Sequence, residues 1–393
     1  MKITRIVPLP LTYPAALTQM SFFVVRVETD EGLVGYGEAC DCFGVSYPRV
    51  LAAVVEDAFA PRLLGREVDG IDALIDGLRT GVRRELGETW SAAQARSAVE
   101  MALWDLVGQR TGRSLSAMFG RVRDRIPVYA GSSPFLDAHD VDYHLERLAP
   151  LVERGVRSVK MRIGPDPRRA VAVMAQLRDR LGDDYELLVD TSGWLDGPTS
   201  AYVADALAAV GVRWLEEPLP QRRHGAIQRV ARRSPVPIAY GEHLYSLDDA
   251  LDVLTSGEAS VIQPDPAICG FADAYRIARV GPHYGARVAL HYHNGPIGFA
   301  ACLQLAGAAP TADILEFPFH LAPVLAAFSP DFEAGLDLIV DGQVAIPDRP
   351  GLGIRYDVDL ALASLVGGQR ARENDLSSHA RRPSPLGLSG GAA

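Results

Sequence analysis

Six polar side chains stand at the ends of short apolar runs and recur at a nearly constant step. They are Asp190 in ELLVD, Glu216 in VRWLE, Glu242 in PIAYGE, Asp265 in SVIQPD, His291 in RVALH and Glu316 in DILEF, spaced 26, 26, 23, 26 and 25 residues apart. A step of that size is the length of one strand–helix unit. In a closed parallel barrel the C-terminal ends of the strands converge on one face, where active sites sit. The spacing would therefore gather groups remote in sequence at one mouth. Three carboxylates that close repel strongly unless a cation neutralises them. One such acid alone would be a solvated loop residue or a helix cap; three on the same period call for a common purpose.

The elements that must position these groups are legible around them. Strand candidates from residue 126 onward are IPVYA, SVKMR, ELLVD, RWLE, PIAYGE, SVIQPD, RVALH and DILEF, which makes the eight that a barrel needs. Between them lie helical stretches with start signals, Asp166-Pro167 before RRAVAVMAQLRDRLG and Ser246 before LDDALDVLTSG. A doubly wound open sheet would also alternate, but polar groups from six consecutive strands could not share one crevice there. Residues 1–45 alternate like an antiparallel meander, with VVRVET and VGYGEA flanking the turn Asp30-Glu31-Gly32. Residues 50–118 are helical in pattern. The strongest stretch is QARSAVEMALWDLVGQRTG, with Ala98, Met101, Leu103, Trp104 and Leu106 on a wide apolar face and Gly112 as its stop. Strands followed by helices indicate a separate α+β unit. The chain is thus expected to divide into a capping domain (1–122), a barrel (123–330), a segment returning to the cap (331–366) with a hairpin at Asp341-Gly342, and a tail rich in Gly, Ser, Pro and Arg expected to be disordered (367–393).

Composition narrows the class further. The chain has 393 residues, is 48% hydrophobic and carries a formal net charge of −10. This argues against a nucleic-acid binder and against a polybasic membrane surface. No run of about 18 apolar residues occurs, so no membrane span is expected, and the N-terminus lacks a signal-peptide pattern. Cys40, Cys42, Cys269 and Cys302 form neither a disulfide framework nor a paired metal motif, which suits a reducing cytoplasm.

These fragments, in this order, resemble the enolase superfamily, within it the mandelate racemase / muconate lactonizing enzyme family and its mandelate racemase subgroup, with acid-sugar dehydratases the nearest in kind. The resemblance runs over roughly residues 1–360. It rests on TDEGLVGYGEA, ALWDLVGQRTGRSLSAMFG, Lys160-Met161-Arg162, DTSGW at 190, WLEEP, YGE, QPDPAICG, LHYHNGPIG, LEFP and PDRPGLG. Together with the alternation it predicts an α/β fold, a modified (β/α)7β TIM-type barrel with an N-terminal α+β capping domain. It implies that Asp190, Glu216 and Glu242 ligate one Mg²⁺, whose hard character suits oxygen donors. Glu217, directly after Glu216, should point the other way. His291 matches the family's base and Asp265 the partner that orients its ring, since a carboxylate on one ring nitrogen raises basicity at the other. Glu316 matches a donor to the substrate carboxylate, a role that needs it protonated near neutral pH. His293 and Ser192 are further substrate-contact candidates, and His243 can reach the mouth. A small hydroxy-carboxylate substrate and a homo-oligomer are also implied.

Two departures bear on the reaction. Alternation puts Lys160 and Arg162 on one strand face. Racemising members carry Lys at both positions, the second acting as a base opposite the histidine. Arg162 stays protonated and is a poor base, although its planar fork can clamp a carboxylate or hydroxyl. Lys160 can bind the substrate carboxylate or donate a proton. Ser192 stands where the family often has Asn. With one competent base, the expected reaction is abstraction of the proton α to a carboxylate and loss of a β-hydroxyl, dehydrating a sugar acid to a 2-keto-3-deoxy acid. A racemase, epimerase or cycloisomerase of another carboxylate, a barrel that binds an acid without turnover, and a Schiff-base aldolase on Lys160 are the alternatives. Substrate choice is expected from cap loops near 10–22 and 41–49, with Phe22, Phe43 and Tyr47 as walls.

Overall fold

The computed structural model describes residues 1–14, 19–39, 47–364 and 374–375. The chain begins with an antiparallel meander of β1 (Ile3–Pro14), β2 (Gln19–Thr29) and β3 (Val34–Ala39). The helices of eight residues or more then start with α1 (Ile71–Leu86) and α2 (Ser91–Thr111). β3 lies directly on α2 because of its glycines. A Cβ on Gly37 would sit 1.8 Å from the Ala98 carbonyl oxygen, and one on Gly35 2.3 Å from that of Ala102. α2 ends where expected, at Gly112 in the left-handed region. Its burial is more complete than its apolar face suggested: Arg96, Glu100 and Asp105 are buried too, because β3 packs on one side and the barrel on another.

The barrel is built from β4 (Arg125–Phe135), β5 (Ser158–Arg162), β6 (Glu186–Asp190), β7 (Leu215–Glu216), β8 (Ile238–Tyr240), β9 (Val261–Ile262), β10 (Arg287–Leu290) and β11 (Ala312–Phe317). Each pairs in parallel with the next, and β11 closes on β4 through Glu316↔Tyr129. Seven helices fill the connections: α3 (Val141–Glu153), α4 (Pro167–Leu181), α5 (Gly197–Val210), α6 (His224–Ala231), α7 (Leu247–Ser256), α8 (Phe271–Val280) and α9 (Pro296–Ala308). This is the (β/α)7β barrel with an N-terminal capping domain.

Strand alternation explains how the mouth becomes polar. Tyr129, Leu188, Trp214, Ala239, Val261, Ala289 and Ile314 form one buried layer inside the barrel. Two residues further along their strands stand Asp190, Glu216, Gln263, His291 and Glu316, on the same inward face and nearer the mouth. Beyond β11, β12 (Ile339–Val340) and β13 (Gln343–Ala345) form the hairpin expected at Asp341-Gly342, with both turn residues at positive φ, and β13 adds antiparallel to β4. The chain then runs back to the cap: Leu352 N–H donates to Asp105 and Thr12 N–H to the Ser364 carbonyl.

Among the described residues no helix is long and apolar enough to cross a membrane. Phe22 is not a loop residue; it lies within β2, buried against Phe328. Tyr47 is exposed. Phe43, Cys40 and Cys42 fall outside the described residues, as does the expected tail except for Asn374–Asp375, which pairs with β1.

Candidate active site

Asp190 and Glu216 end neighbouring strands and are paired in register, as are Arg162 and Asp190. Asp190 is held by its own loop: Ser192 N–H donates to its Oδ1 at 2.7 Å and Ser192 Oγ lies 3.3 Å away. Arg162 Nε lies 3.2 Å from Asp190 Oδ2. Glu216 points into the barrel and is fully buried. Its Oε1 accepts from Lys160 Nζ at 2.7 Å, and its Oε2 from Trp214 Nε1 at 3.1 Å and Gln263 Nε2 at 2.8 Å. Lys160 Nζ also donates to Glu316 Oε2 at 3.1 Å. Glu316 fits against β4 because residue 131 is glycine; a Cβ there would fall 2.4 Å from its Oε1.

His291 and Asp265 meet in the same mouth. His291 Nδ1 lies 2.9 Å from Asp265 Oδ2. Its Nε2 faces Glu242 Oε2 at 3.1 Å and Glu316 Oε2 at 3.6 Å. Asp265 is gripped in turn by Ala267 N–H at 2.8 Å and by Asn294 Nδ2, 3.1 Å from Oδ2. The pair is buried, so the Asp265 carboxylate sets the ring's orientation through Nδ1.

Glu217 departs from expectation. It is buried and turned toward the acid cluster, with Oε1 3.2 Å from His243 Nδ1. The alternation rule ends with β7: Glu217 has φ of 40°, and Thr191 Oγ1 donates to its carbonyl at 2.6 Å, which holds the turn. His243 Nδ1 also lies 3.3 Å from Glu242 Oε1. Among the described residues, Glu217, Glu242 and His243 are the donors whose ligand atoms all lie within 4.8 Å of one another. The expected metal set of Asp190, Glu216 and Glu242 is brought to the same mouth but less tightly, since Lys160, Trp214 and Gln263 occupy Glu216. Glu242 belongs to both groups.

Electrostatics explain the strain on this mouth. Six buried carboxylates (Asp190, Glu216, Glu217, Glu242, Asp265 and Glu316) face two permanent cations, Lys160 and Arg162, among the described residues. Burial, with Asp190, Glu242 and Glu316 nearby, pushes Glu216 up to about 8 despite Lys160. Burial would lower Lys160, but Glu216 and Glu316 outweigh it and hold it well above its ordinary value. Burial likewise disfavours charge on His291, yet Glu242, Asp265 and Glu316 raise it well above the usual histidine range. A divalent cation held by Glu242 would relieve this imbalance and bring His291 down again from that raised value, and the hard oxygen donors suit Mg²⁺. Glu316 differs from the expected protonated donor. Burial raises it, but Lys160, His291 and Arg162 pull it below the usual carboxylate range, and it accepts from Lys160 and from Tyr129 OH at 3.1 Å.

His293 is buried, its Nε2 3.2 Å from His320 Nε2, and burial beside His320 and Arg162 keeps it well below the usual range. Tyr129, Trp214, Gln263 and Asn294 escaped the sequence reading. The signal for Trp214 and Gln263 was the alternation itself, since each lies two residues before an acid of the constellation.

The chain is similar to known proteins throughout most of its length. Residues 3–120 match the N-terminal domain of the mandelate racemase / muconate lactonizing enzyme family, and residues 144–360 match its enolase C-terminal domain-like partner. D-galactarolactone cycloisomerase from Agrobacterium fabrum is 30% identical over 86% of this chain and 89% of its own. D-gluconate dehydratase from Thermoproteus tenax is 30% identical over 84% of this chain and 67% of its own. Among solved structures, a member of the enolase superfamily from Polaromonas sp. JS666 superposes with a TM-score of 0.82 at 29% identity, covering 94% of this chain and 99% of that one. A racemase from Streptomyces coelicolor A3(2) with bound magnesium gives 0.80 at 25%, covering 93% and 100%. A closed eight-stranded barrel under a meander-and-helix cap, an acid cluster at its mouth and family matches to both halves lead to one conclusion: the chain belongs to the mandelate racemase / muconate lactonizing enzyme family of the enolase superfamily.

Proposed function

We propose that this protein is a Mg²⁺-dependent carbon–oxygen lyase that removes the proton α to the carboxylate of a sugar acid and expels a β-hydroxyl, giving a 2-keto-3-deoxy acid. The observation that carries the reading is the asymmetry of the mouth. On one side stands a histidine oriented by a carboxylate, His291 with Asp265 at 2.9 Å. On the other stands Arg162, a group that cannot serve as a base, against Asp190. Two-base racemisation needs a second acceptor there; elimination does not.

Asp190, Glu216 and Glu242 would hold the ion, which when bound supplies Lewis-acid charge to the substrate carboxylate. The chain's own groups do the rest. Lys160 and Arg162 bind the carboxylate and stabilise the charge that grows on it as the enediolate forms. His291 Nε2 takes the α-proton and returns it to the departing hydroxyl. Glu316 can become a hydrogen-bond donor as negative charge develops beside it, once Lys160 turns to substrate. His293 and Ser192 line the site as hydroxyl contacts, and a homo-oligomer is the expected assembly.

Cycloisomerisation is the second reading, because one of the similar proteins bears that name. Loss of a β-oxygen that remains tethered uses the same single base. The test is a screen of acid sugars with Mg²⁺ by mass spectrometry. A product one water lighter than substrate supports dehydration, and a product of unchanged mass supports cycloisomerisation. Full turnover by His291→Asn would overturn the base assignment under either reading.

A further inference from the structure

Most barrel helices cap themselves. Asp140, Asp166, Asp196 and Ser246 each accept a backbone N–H from the first turn of α3, α4, α5 and α7. Three do not: α6, and two that lie beyond the base and its partner, α8 and α9. α8 starts after Gly270 and α9 after Gly295, residues with no side chain to offer. Their acceptors come from the other domain. Glu38, on β3, accepts from the N–H groups of Gly295, of Ile297 at 3.1 Å and of Gly298 at 3.3 Å. Glu100, on α2, accepts from Ala272 N–H at 2.8 Å. Both acids are buried, and the glycines make room for them. A Cβ on Gly295 would lie 2.9 Å from both Glu38 oxygens, and one on Gly270 2.2 Å from Glu100 Oε2.

The α9 contact continues into the chemistry. Asn294, the residue before Gly295, donates Nδ2 to Asp265 Oδ1 at 3.3 Å and Oδ2 at 3.1 Å. Asp265 Oδ2 in turn holds His291 Nδ1 at 2.9 Å. A carboxylate of the capping domain thus fixes the backbone that presents the residue gripping the base's partner. We infer that Glu38 is a positioning residue: it anchors the start of α9 from the capping domain and through Asn294 sets the orientation of the Asp265–His291 pair. Docking of the cap and alignment of the base are then one event. Loss of this single contact misaligns the pair while leaving both of its members in place. The inference deepens the elimination reading and rests on it only for its kinetic consequence.

Glu38→Gln is the first test, in the full-length protein saturated with Mg²⁺. An amide turns two donors toward the three N–H groups and keeps one oxygen. Hydrogen exchange at residues 295–298 should quicken about tenfold, the size expected for loss of a helix cap, with exchange at 186–190 unmoved. The downfield proton resonance of His291 Nδ1–H, assigned by its disappearance in Asp265→Asn, should shift or broaden. With an active substrate, kcat should fall about tenfold with KM within about twofold. Gly295→Ala presses on Glu38 from the opposite side through an ordinary backbone conformation, so it reports on the same contact if Glu38→Gln folds poorly. The inference is overturned if exchange at 295–298 is unchanged in the variants that fold, or if it quickens while the His291 resonance stays where it was. Both readouts need no substrate. A wild-type protein that turns over no carboxylate would count against the proposed reaction and leave this test intact.

Discussion

Replacing Asp265 by asparagine tests the base directly, and the hydrogen bonds around it decide which way the new amide must face. Asp265 Oδ1 accepts from Ala267 N–H at 2.8 Å, a backbone donor that cannot turn away. The oxygen of the introduced amide is therefore retained at that position, where Asn294 Nδ2, 3.3 Å from Oδ1 and 3.1 Å from Oδ2, must donate to it alone, and its NH₂ replaces Oδ2, 2.9 Å from His291 Nδ1. His291 Nδ1 must then accept, which puts the ring proton on Nε2, the atom that faces the mouth. A histidine protonated there cannot take an α-proton. Recovering the reactive tautomer sets two N–H groups against each other in a fully buried site. That loses a charge-assisted bond and leaves both donors unsatisfied, about 3–5 kcal/mol together. At about 1.4 kcal/mol per decade, kcat should drop by roughly two to four orders of magnitude. The assay is turnover of the best acid-sugar substrate, with nitrogen NMR of labelled histidine to read the tautomer and Mg²⁺ affinity and thermal midpoint as controls. Activity within tenfold of wild type, with both controls unchanged, would refute the assignment of Asp265 and His291.

Four further outcomes are expected. Arg162→Lys places a titratable amine near Asp190, so recovered substrate should acquire deuterium from solvent with inverted α-configuration; retention of configuration without any washing-in would show that position 162 does not reach the second face. Asp190→Asn, Glu216→Gln and Glu242→Gln should each weaken Mg²⁺ binding by roughly 100-fold, about 3 kcal/mol, in calorimetric titration, whereas a larger loss in Glu217→Gln or His243→Asn would move the ion to that neighbouring group. Gly37→Ala should destabilise the fold by about 3 kcal/mol or more in urea unfolding, since the added carbon meets the Ala98 carbonyl at 1.8 Å; an unchanged midpoint would contradict the packing of β3 on α2. Burial pushes Glu38 and Glu100 from 4.5 up to about 7. A carboxyl with a raised folded pKa binds protons more tightly when folded, so its contribution is greatest below about pH 4.5 and is lost as pH rises toward 7, by up to about 3 kcal/mol per group. The Glu38→Gln, Glu100→Gln double variant should show a flatter stability profile over pH 5–7 than wild type.

The sequence by itself determined the periodic part of this protein. Strand alternation and the strand–helix step are local properties, so the eight strands, the hairpin at Asp341-Gly342 and the placing of Asp190, Glu216, Glu242, Asp265, His291 and Glu316 at strand ends could all be read in a line. Self-capped helices such as those after Asp166 and Ser246 were legible for the same reason. Tertiary structure alone decided where alternation stops. Glu217 joins the acid cluster because a left-handed backbone angle, held by Thr191 from a neighbouring strand, turns it inward. The charge state of Glu316 depends on Lys160 and His291, which approach it only when the barrel closes. Glu38 and Glu100 read as ordinary strand and helix carboxylates until the two domains meet, and then become the caps of helices remote in sequence. Local geometry travels with the chain, whereas partners across the barrel and between domains exist only after folding has brought them together.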